Sequence, residues 1–495
     1  MFKSKSLRLR IILSLIAIIV MGLGFVSKFV YDYSPITKLK QLSNRNQLNF
    51  VLINIDGLRA DHMGVYGYNK NTTPFLDSLA KQGVVFKEAI TPAYLTFQTD
   101  AAIFSGLYAS QNNVQTWDTP INDNLYLLPK ILSLYGYKTA AFVSPSLWEY
   151  FGLAKQFDEY HLAGMSKNMS VVQPNIVNWI KNHQNVPFFL FWHIYDVHLP
   201  YRQVETNYKC QFNQLTTDPK GQYGTFPLFE WQAQTTKSIP MIIDYPDGSE
   251  KLSWNPLDKN DIDYLNYAYD EGIKYVDSQL KDFFNQLQQL PNYKNTVFII
   301  SAEHGEDLKE HGFIFHRDIY DVNTRVPLII IFPKSISKKI DKPVSSLDIM
   351  PTILDLAKIK ASENGEGISL LPLIKGQASK DSPIYTERPP YDEYSVRLGD
   401  WKYILRNSNK TKMIKTAQLA NPKDFFDEII KNDITFSDEL YNLKEDPTEQ
   451  NNLIGKGLPV ENQLKELALA FKTKMTNARA TNNIKSLNIP IFTYP

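Results

Sequence analysis

Apolar runs of strand length, separated by helical patterns, constrain the fold of this chain more than any other feature. The runs lie at residues 50–55, 139–143, 188–194, 296–300 and 326–332, and the helical patterns include residues 73–82 and 264–287. Strands that are apolar on both faces are typical of a parallel sheet covered by helices on both sides. The sequence therefore predicts the α/β class, with a large, mostly parallel sheet and helices on both of its faces.

Polar side chains that could bind a metal follow two of these runs. Asp56 comes directly after the first run, and Glu303 and His304 come just after the fourth. In an open parallel sheet, ligands and metal ions gather where the carboxyl ends of neighbouring strands meet. We therefore expect Asp56, Glu303 and His304 to lie at one edge of the sheet and to share a cation.

The length of the chain suits one large domain and a smaller one, because single cores rarely grow past about 250 to 300 residues. We place the large domain at residues 49–380 and the smaller one at residues 381–495. In the smaller domain, residues 394–405 are typical of two strands around a Gly-Asp turn, and residues 464–475 have helical spacing. The expected architecture there is a small antiparallel sheet with a packed helix.

The alternation of strands and helices is interrupted between residues 201 and 263. This stretch is rich in glutamine, threonine, proline and aromatic residues. Long insertions of this kind often form lids or binding loops. The alternative is an ordinary surface excursion that packs on its own aromatic side chains, and the sequence is compatible with both interpretations.

Charge and cysteine content exclude several classes of function. The 53 basic and 52 acidic side chains nearly cancel, so no overall positive field predicts a nucleic-acid partner. The single cysteine, Cys210, excludes an intramolecular disulfide framework and a cysteine-based metal cluster.

The first residues of the chain are typical of a segment that directs export. Lysine or arginine at positions 3, 5, 8 and 10 precedes an uncharged run over residues 11–26. The run is slightly short for a span of about 20 residues, so cleavage and anchoring both stay open. No small-residue cleavage site follows, and the basic flank favours a cytoplasmic N-terminus. We therefore expect a retained signal anchor (1–33), a polar linker (34–48) and a folded domain that is periplasmic or extracellular.

Thr96 stands where a helix is expected to begin. Residues 101–104 are typical of a helix that is closed by the Ser-Gly turn after them. Backbone N–H groups and the dipole at a helix N-terminus favour anions, which suits a nucleophile that attacks a phosphate or sulfate ester. A nearby cation would activate the hydroxyl. The alternative is an ordinary helix cap, which is the commonest reason for a threonine at such a position.

Several segments, in the same order, resemble the sulfatase family of the alkaline phosphatase superfamily over residues 49–455. Residues 54–67 look like its first metal loop, residues 101–108 like the segment after the nucleophile, and residues 193–201 like the loop whose histidine contacts the substrate anion. Further similar segments lie at residues 73–80, 303–306, 325–328, 348–352 and 439–447. The resemblance implies the fold of this family and an enzyme that hydrolyses phosphoric or sulfuric esters with a divalent metal ion.

The resemblance also implies roles for particular residues. The metal ligands that it implies by position are Asp56, Thr96, Glu303 and His304. Thr96 would be the nucleophile as well. His198 and His316 would contact the transferred anion and protonate the leaving group, a task suited to histidine near neutral pH. For both histidines the alternative is a structural role in a loop.

The chain departs from the family pattern around the nucleophile. Thr96, Gln98 and Asp100 stand where the sulfatase signature has cysteine or serine, proline and arginine, so the formylglycine precursor is absent. With threonine at the nucleophile position, the chain resembles phosphonate monoester hydrolases, phosphoethanolamine transferases and lipoteichoic acid synthases. This resemblance favours phosphoryl over sulfuryl chemistry. The carboxylate of Asp100 would repel an incoming anion, unless it meets a cationic group of the substrate.

Two further departures affect the metal. Gly57 stands where many sulfatases have a second aspartate, and Glu303 replaces the usual aspartate. The site then has fewer carboxylates than a calcium cage of about six to eight oxygens prefers. With an imidazole among the ligands, Mn²⁺ or Zn²⁺ suits the set, and Ca²⁺ or Mg²⁺ completed by water stays open. His193 and Asp196 could complete a second metal site, but their spacing does not match that of two-metal relatives, so we expect one ion.

Three functions are compatible with these features. The first is a metal-dependent hydrolase that cleaves phosphoric rather than sulfuric esters through Thr96. The second is an envelope phosphotransferase that passes a phosphoethanolamine or phosphoglycerol group to a glycan or lipid. The third is a degenerate protein that keeps the fold and binds without catalysis. The substrate would be an ester of a small molecule, a glycan or a lipid.

Overall fold

The computed structural model describes residues 48–116, 119–144, 147–163, 169–199, 201, 238–244, 250–256, 259–311, 314–316, 318–361, 365–377, 381–407 and 437–481. The predicted signal anchor (1–33), all but the last residue of the predicted linker (34–48) and Cys210 lie outside these ranges. Among the helices that are described, none is both long enough and apolar enough to cross a membrane.

Strands in the described residues form a large central sheet, a smaller C-terminal sheet and two hairpins. In chain order they are β1 (Asn49–Ile55), β2 (Val84–Ile90), β3 (Lys138–Val143), β4 (Glu159–Leu162), β5 (Phe188–Ile194), β6 (Ser238–Asp244), β7 (Glu250–Pro256), β8 (Thr296–Ser301), β9 (Asp307–Leu308), β10 (Ile314–Phe315), β11 (Arg325–Ile331), β12 (Lys338–Ile340), β13 (Val344–Ser345), β14 (Ile384–Arg388), β15 (Glu393–Leu398), β16 (Trp401–Leu405) and β17 (Glu439–Asn442). The central sheet has the order β12-β2-β11-β8-β1-β5-β3-β4, with β13 also paired to β2. Its strands pair in parallel except β11, which runs antiparallel to both β2 and β8. The prediction of a large, mostly parallel sheet is therefore confirmed.

Helices flank the central sheet. In chain order they are α1 (Pro74–Ala80), α2 (Thr96–Ser105), α3 (Ala109–Asn112), α4 (Leu128–Leu134), α5 (Leu147–Tyr150), α6 (Met169–Asn182), α7 (Lys259–Leu287), α8 (Asp321–Thr324), α9 (Ile349–Leu356), α10 (Leu371–Ile374) and α11 (Pro459–Thr481). One group is formed by α7 with α1 and α6, and another by α2 with α4 and α9. The predicted α/β class is confirmed by this arrangement of helices around a mostly parallel sheet.

The end of the predicted insertion at residues 201–263 differs in the structure. Helix α7 begins at Lys259, before the apolar pattern that starts at residue 264. Its first turn is polar and carries an ion pair between Lys259 and Asp263 at 2.6 Å, which stabilises a helix without an apolar pattern. Strands β6 and β7 form an antiparallel hairpin within the same stretch. Apart from Tyr201, the remainder of the insertion lies outside the described residues, so its interpretation as a lid stays a prediction.

The carboxyl ends of β1, β5 and β8 meet at one edge of the central sheet. Strand β1 lies between the other two in parallel register, with Asn54 opposite His193 on one side and Ser301 on the other. Every residue of these three strands is buried, as expected for strands of a sheet that is covered on both faces. The residues that follow β1 and β8, Asp56 and Glu303 included, are thereby brought to the same edge.

Aromatic packing holds α2 in place beside the sheet. Phe104 on α2 contacts Trp148 and Phe191 edge to face, with ring centroids 5.5 and 5.0 Å apart. Phe97, near the other end of α2, stacks on Phe151 at 4.4 Å. Contacts of this kind contribute about 0.5 to 1.5 kcal/mol each beyond the burial of the rings. They fix the direction of α2 and hence the position of its N-terminal residue.

The C-terminal strands β14 to β17 form a four-stranded antiparallel sheet in the described residues, and α11 packs on β15 and β16. The predicted turn between β15 and β16 contains Gly399, whose φ of +59° lies in the left-handed region that favours glycine. The predicted small antiparallel sheet with a packed helix is thus confirmed.

Buried ion pairs join the C-terminal sheet to the large domain. Arg406 contacts Asp318 at 2.6 Å, and Lys402 contacts Asp321 at 2.7 Å. All four side chains are buried. Since Asp318 follows His316 closely in the chain, the C-terminal sheet holds the segment that carries this histidine.

Candidate active site and metal centre

Asp56, Glu303 and His304 come together at the carboxyl edge of the central sheet. Asp56 follows β1, and Glu303 and His304 follow β8, so two neighbouring strands deliver them. The three side chains are fully buried, and one ligand atom from each lies within 4.8 Å of the others. His304 Nε2 is 3.4 Å from Asp56 Oδ1. The structure thus brings together the group that the sequence predicted to share a cation.

The acidic oxygens of this group fit a divalent metal ion. Apart from the hydrogen bond that the Asp56 and Glu303 carboxyl groups make to each other when one of them is protonated, neither oxygen of Asp56 nor Oε2 of Glu303 has a hydrogen-bond partner in the described residues. Burial raises the pKa of Asp56, and the adjacent Glu303 carboxylate raises it further. Burial also raises the pKa of Glu303, to about 7. Buried carboxylates without partners are costly, and a cation held between them would offset that cost.

Thr96 lies beside this group, as the first residue of α2. Its Oγ1 is 3.0 Å from His304 Nε2. His304 Nδ1 is 3.0 Å from the carbonyl oxygen of Gly305, which can only accept, so Nδ1 carries the proton and Nε2 the lone pair. Burial lowers the pKa of His304 to about 3, which keeps the ring neutral. Thr96 Oγ1 and His304 Nε2 therefore adjoin the carboxylates as two further donors for a cation.

His198 and His316 lie next to the histidine that contacts Thr96. The His316 ring stacks on that of His304 with centroids 3.6 Å apart, and the His198 ring is 5.1 Å from the His316 ring. Both side chains are buried. His198 Nδ1 donates to the carbonyl oxygen of Leu199. The two histidines expected to contact the transferred anion are thus gathered at the metal-ligand group.

A second group of metal-ligand type adjoins the first. Ligand atoms of His198, Glu306 and His316 lie within 4.8 Å of one another. Glu306 accepts hydrogen bonds from the Leu199 N–H at 3.1 Å and from the Tyr201 hydroxyl. The sequence predicted one metal ion, bound by the first group. A measured content of two ions per chain would therefore point to this second group.

Asp100 is fully buried beside the expected metal ligands. Its Oδ1 accepts a hydrogen bond from Asn54 Nδ2 at 2.9 Å. Burial, followed by the charges of Glu303 and Asp56, raises its pKa well above the ordinary range. The raised pKa favours the neutral carboxyl group, which repels an incoming anion less than an ionised one. Because its side chain has no exposed surface, Asp100 is also not placed to meet a cationic group of a substrate.

The loop after β1 explains why a second carboxylate is absent there. Gly57 has a φ of +75°, in the left-handed region, and a Cβ at this position would lie 3.1 Å from Glu306 Oε1. An aspartate would therefore be strained and would press on Glu306. Arg59 pairs with Asp61 at 2.8 Å and with Glu310 at 2.5 Å, so these ion pairs brace the same loop.

His193 makes contacts in this site that the sequence did not predict. It lies near the end of β5, and its Nε2 is 3.0 Å from Glu303 Oε1 and 3.5 Å from Asp56 Oδ2. Burial lowers its pKa. Asp196, considered with His193 as part of a second metal site, accepts a hydrogen bond from the Met169 N–H at 3.2 Å. A signal was available, since His193 is a polar side chain at the carboxyl end of an apolar strand.

The amino-acid sequence of this chain is similar to those of known proteins. A sequence profile described as Sulfatase matches residues 48–359, and one described as N-sulphoglucosamine sulphohydrolase, C-terminal, matches residues 309–481. A Delta 4,5-hexuronate-2-O-sulfatase of Bacteroides thetaiotaomicron is 25% identical over 438 residues, which cover 82% of this chain and 84% of that protein. The similarity therefore extends over most of both chains.

Solved structures share the fold. A protein in complex with its substrate D-glucosamine-2-N,6-O-disulfate superposes with a TM-score of 0.64 at 18% identity, covering 90% of this chain and 100% of the other. A phosphonate monoester hydrolase of Agrobacterium radiobacter superposes with a TM-score of 0.62 at 16% identity, covering 88% of this chain and 96% of the other. At these identities the likeness concerns the fold.

Proposed function

Because this chain belongs to the sulfatase family, it is an ester hydrolase, and we propose that it cleaves phosphoric rather than sulfuric esters through Thr96. The observation that carries the proposal is the position of the Thr96 hydroxyl, at the first residue of α2 and 3.0 Å from His304 Nε2. The family resemblance implies that sulfate release relies on the aldehyde hydrate of formylglycine. A threonine alkoxide instead forms a phosphoryl ester that water can resolve.

The proposed reaction has two steps. In the first, Thr96 Oγ forms a bond to phosphorus while the bond from phosphorus to the leaving oxygen breaks. Thr96 releases its hydroxyl proton to solvent, and the leaving oxygen takes up a proton. In the second step the oxygen of a water molecule forms a bond to phosphorus while the bond from phosphorus to Thr96 Oγ breaks; a proton of that water restores the Thr96 hydroxyl, and the product departs. The N-terminal N–H groups and the dipole of α2 favour the anion in both steps.

His198 and His316 are proposed to contact the anion and to protonate the leaving oxygen. The Nδ1–H of His198 is committed to the Leu199 carbonyl oxygen, so Nε2 is the ring atom that would deliver a proton. His316 contacts the rings of both His198 and His304, which supports a place beside the reacting group.

The residues proposed to hold one divalent metal ion are Asp56, Thr96, Glu303 and His304. Such an ion, when bound, supplies positive charge that neutralises the buried carboxylates and lowers the pKa of the Thr96 hydroxyl. Mn²⁺ or Zn²⁺ is proposed over Ca²⁺ or Mg²⁺, because the donor set contains an imidazole nitrogen.

The substrate is proposed to be an ester carried by a sugar. The relative from Bacteroides thetaiotaomicron is named for a hexuronate sulfate, and one solved neighbour binds a glucosamine disulfate.

We also propose that residues 1–33 anchor the enzyme in a membrane, with the catalytic domain in the periplasm or outside the cell. This second proposal is supported by the basic residues that precede the uncharged run at residues 11–26.

Intact-mass spectrometry after brief exposure to an aryl phosphodiester or an aryl sulfate tests the proposed chemistry, with metal content measured on the same sample. We expect a covalent adduct from the phosphodiester on the wild type and one metal ion per chain. Thr96→Ala should lose both the adduct and turnover, because it lacks the attacking oxygen.

Thr99→Ala is the matched control for this experiment. Thr99 lies on the same helix, is fully buried and has no hydrogen-bond partner for its hydroxyl in the described residues, so its removal should leave turnover unchanged. Turnover that survives in Thr96→Ala would remove Thr96 from the mechanism. Turnover of the aryl sulfate alone would show that the enzyme cleaves sulfuric rather than phosphoric esters. A second metal ion per chain would be assigned to His198, Glu306 and His316.

A further inference from the structure

We infer that His193 binds the metal ion through Nε2, as a ligand in addition to the four residues that the family resemblance implies. The inference rests on the proposed metal-dependent function. It adds a donor from β5, a strand that carries none of those four residues.

The partner of Nδ1 determines which ring nitrogen of His193 can coordinate a metal. His193 Nδ1 contacts the carbonyl oxygen of Ser144. A carbonyl oxygen only accepts, so Nδ1 carries a proton in either protonation state of the ring. Nε2 is then the nitrogen that can offer a lone pair. Histidines that bind metals usually donate their other ring N–H in this way, which fixes the tautomer and the ring orientation.

Nε2 of His193 faces two buried carboxylates. It is 3.0 Å from Glu303 Oε1 and 3.5 Å from Asp56 Oδ2, and the three side chains are almost completely buried. A lone pair directed at two carboxylates is repulsive unless a positive charge lies among them. That charge is either a proton, on Nε2 or on one of the two carboxyl groups, or a metal ion that contacts all three groups.

The oxygens of Asp56 favour the metal ion over the proton. A proton on Nε2 would be donated to Glu303, the nearer carboxylate. Both oxygens of Asp56 would then have no hydrogen-bond partner from the described residues other than the Glu303 carboxyl group itself. A single proton, on Nε2 or on a carboxyl group, joins only two of the three groups. A metal ion bound by His193, Glu303 and Asp56 satisfies the three groups together, as buried polar groups require.

A ligand from β5 also compensates for the carboxylate that Gly57 does not supply. With His193 the donor set contains two carboxylates, two imidazoles and the hydroxyl of Thr96. Ca²⁺ and Mg²⁺ prefer oxygen ligands, whereas Zn²⁺ is commonly bound by imidazole and carboxylate together. The donor set therefore selects zinc over the alkaline-earth ions.

X-ray absorption at the zinc edge, on the full-length protein loaded with one equivalent of zinc, counts the imidazole ligands. We expect two imidazoles in the wild type and one in His193→Gln. The substitution should also weaken zinc binding by about 100-fold or more, because loss of a direct ligand exceeds the roughly 10- to 100-fold effect of an outer-shell partner.

His183→Gln is the matched control for this substitution. His183 Nδ1 also contacts a backbone carbonyl, that of Trp179 at 2.8 Å, but its Nε2 is 3.9 Å from the partly exposed carboxylate of Glu159. This variant should keep both imidazoles and the zinc affinity of the wild type.

Zinc bound by His198 and His316 would also show two imidazoles, so His316→Gln distinguishes the two groups. This variant should keep two imidazoles, and it tests the inference even if His193→Gln fails to fold. One imidazole in the wild type, loss of an imidazole in His316→Gln, or an unchanged folded His193→Gln would overturn the inference and leave the proposed function standing. A wild-type protein that binds no divalent metal would overturn the proposed function itself.

Discussion

Replacement of Arg406 by methionine should destabilise the protein through the carboxylates that are left behind. The Arg406 guanidinium is fully buried and contacts Asp318 at 2.6 Å, Glu439 at 2.7 Å and Glu393 at 3.1 Å. Methionine fills part of the same space and supplies no positive charge. Removal of one partner from a buried ion pair costs about 3 to 5 kcal/mol, because the remaining charge stays buried.

Neighbouring groups set the expected loss within this range. Arg388 still contacts Glu393 at 2.8 Å and lies 3.8 Å from Asp318. Glu439 still accepts a hydrogen bond from the Tyr320 hydroxyl at 2.8 Å. We therefore expect the free energy of unfolding to fall by about 3 kcal/mol, at the lower end of the range.

The loss should depend on pH in one direction. Burial alone would raise the pKa of Asp318, but the charges of Arg406 and Arg388 outweigh burial and lower the pKa to about 2. In the wild type the ion pair therefore stabilises the protein above about pH 4, and this stabilisation is lost as the pH falls toward 2. Without Arg406 the pKa of Asp318 rises, so protonation relieves the buried charge. The deficit of the variant should shrink between about pH 7 and about pH 4.5.

Urea-induced unfolding, followed by circular dichroism at both pH values, measures the loss and its pH dependence. Lys87→Met is the control, because Lys87 pairs with Asp341 at 2.9 Å on the surface and its removal should cost less than about 1 kcal/mol. A loss in Arg406→Met no larger than that of the control, or a loss that is the same at both pH values, would refute the reasoning.

Two further outcomes are expected at the metal centre. Asp56→Ala should contain much less metal than Asp61→Ala, because Asp61 lies in the same loop but pairs with Arg59; equal metal content by plasma mass spectrometry would show that the ligand set is wrong. The stabilisation that zinc adds over the chelator-treated protein should grow as the pH rises from about 4.5 to about 7. Burial raises the pKa of Glu303 to about 7, so below that pH the proton competes with the metal and the metal-free protein is relatively more stable. Urea unfolding with and without chelator measures this difference, and a difference that does not vary with pH would contradict the role of Glu303.

Most of the fold could be predicted because strands buried on both faces need apolar residues at nearly every position. This holds for β1, β5 and β8, all of whose residues are buried. Strand β2 was missed because Lys87 and Glu88 interrupt its apolar pattern. They form ion pairs with Asp341 and Arg325 while the backbone continues in the sheet. The reversed direction of β11 was also missed, since apolarity alone does not specify strand direction.

Part of the candidate site followed from strand ends alone. Asp56, Glu303 and His304 could be placed at one edge because they come directly after predicted parallel strands. The position of His193 at a strand end was visible in the sequence, but its particular contacts were not, because they depend on the carbonyl of Ser144 from another segment and on the register between β1 and β5. The raised pKa of Asp100 depends on burial beside two other acids.

Chain order and apolar periodicity are local properties, and they were sufficient for the α/β class, for the C-terminal sheet and for which donors end near the sheet edge. Which donors converge on one ion is not local. It depends on the lateral order β5-β1-β8, on the space that Glu306 occupies beside Gly57 and on the burial that raises the pKa values of the acids. Electrostatic energies in this site change with ångström separations and with exclusion of water, and both arise only when distant segments pack together.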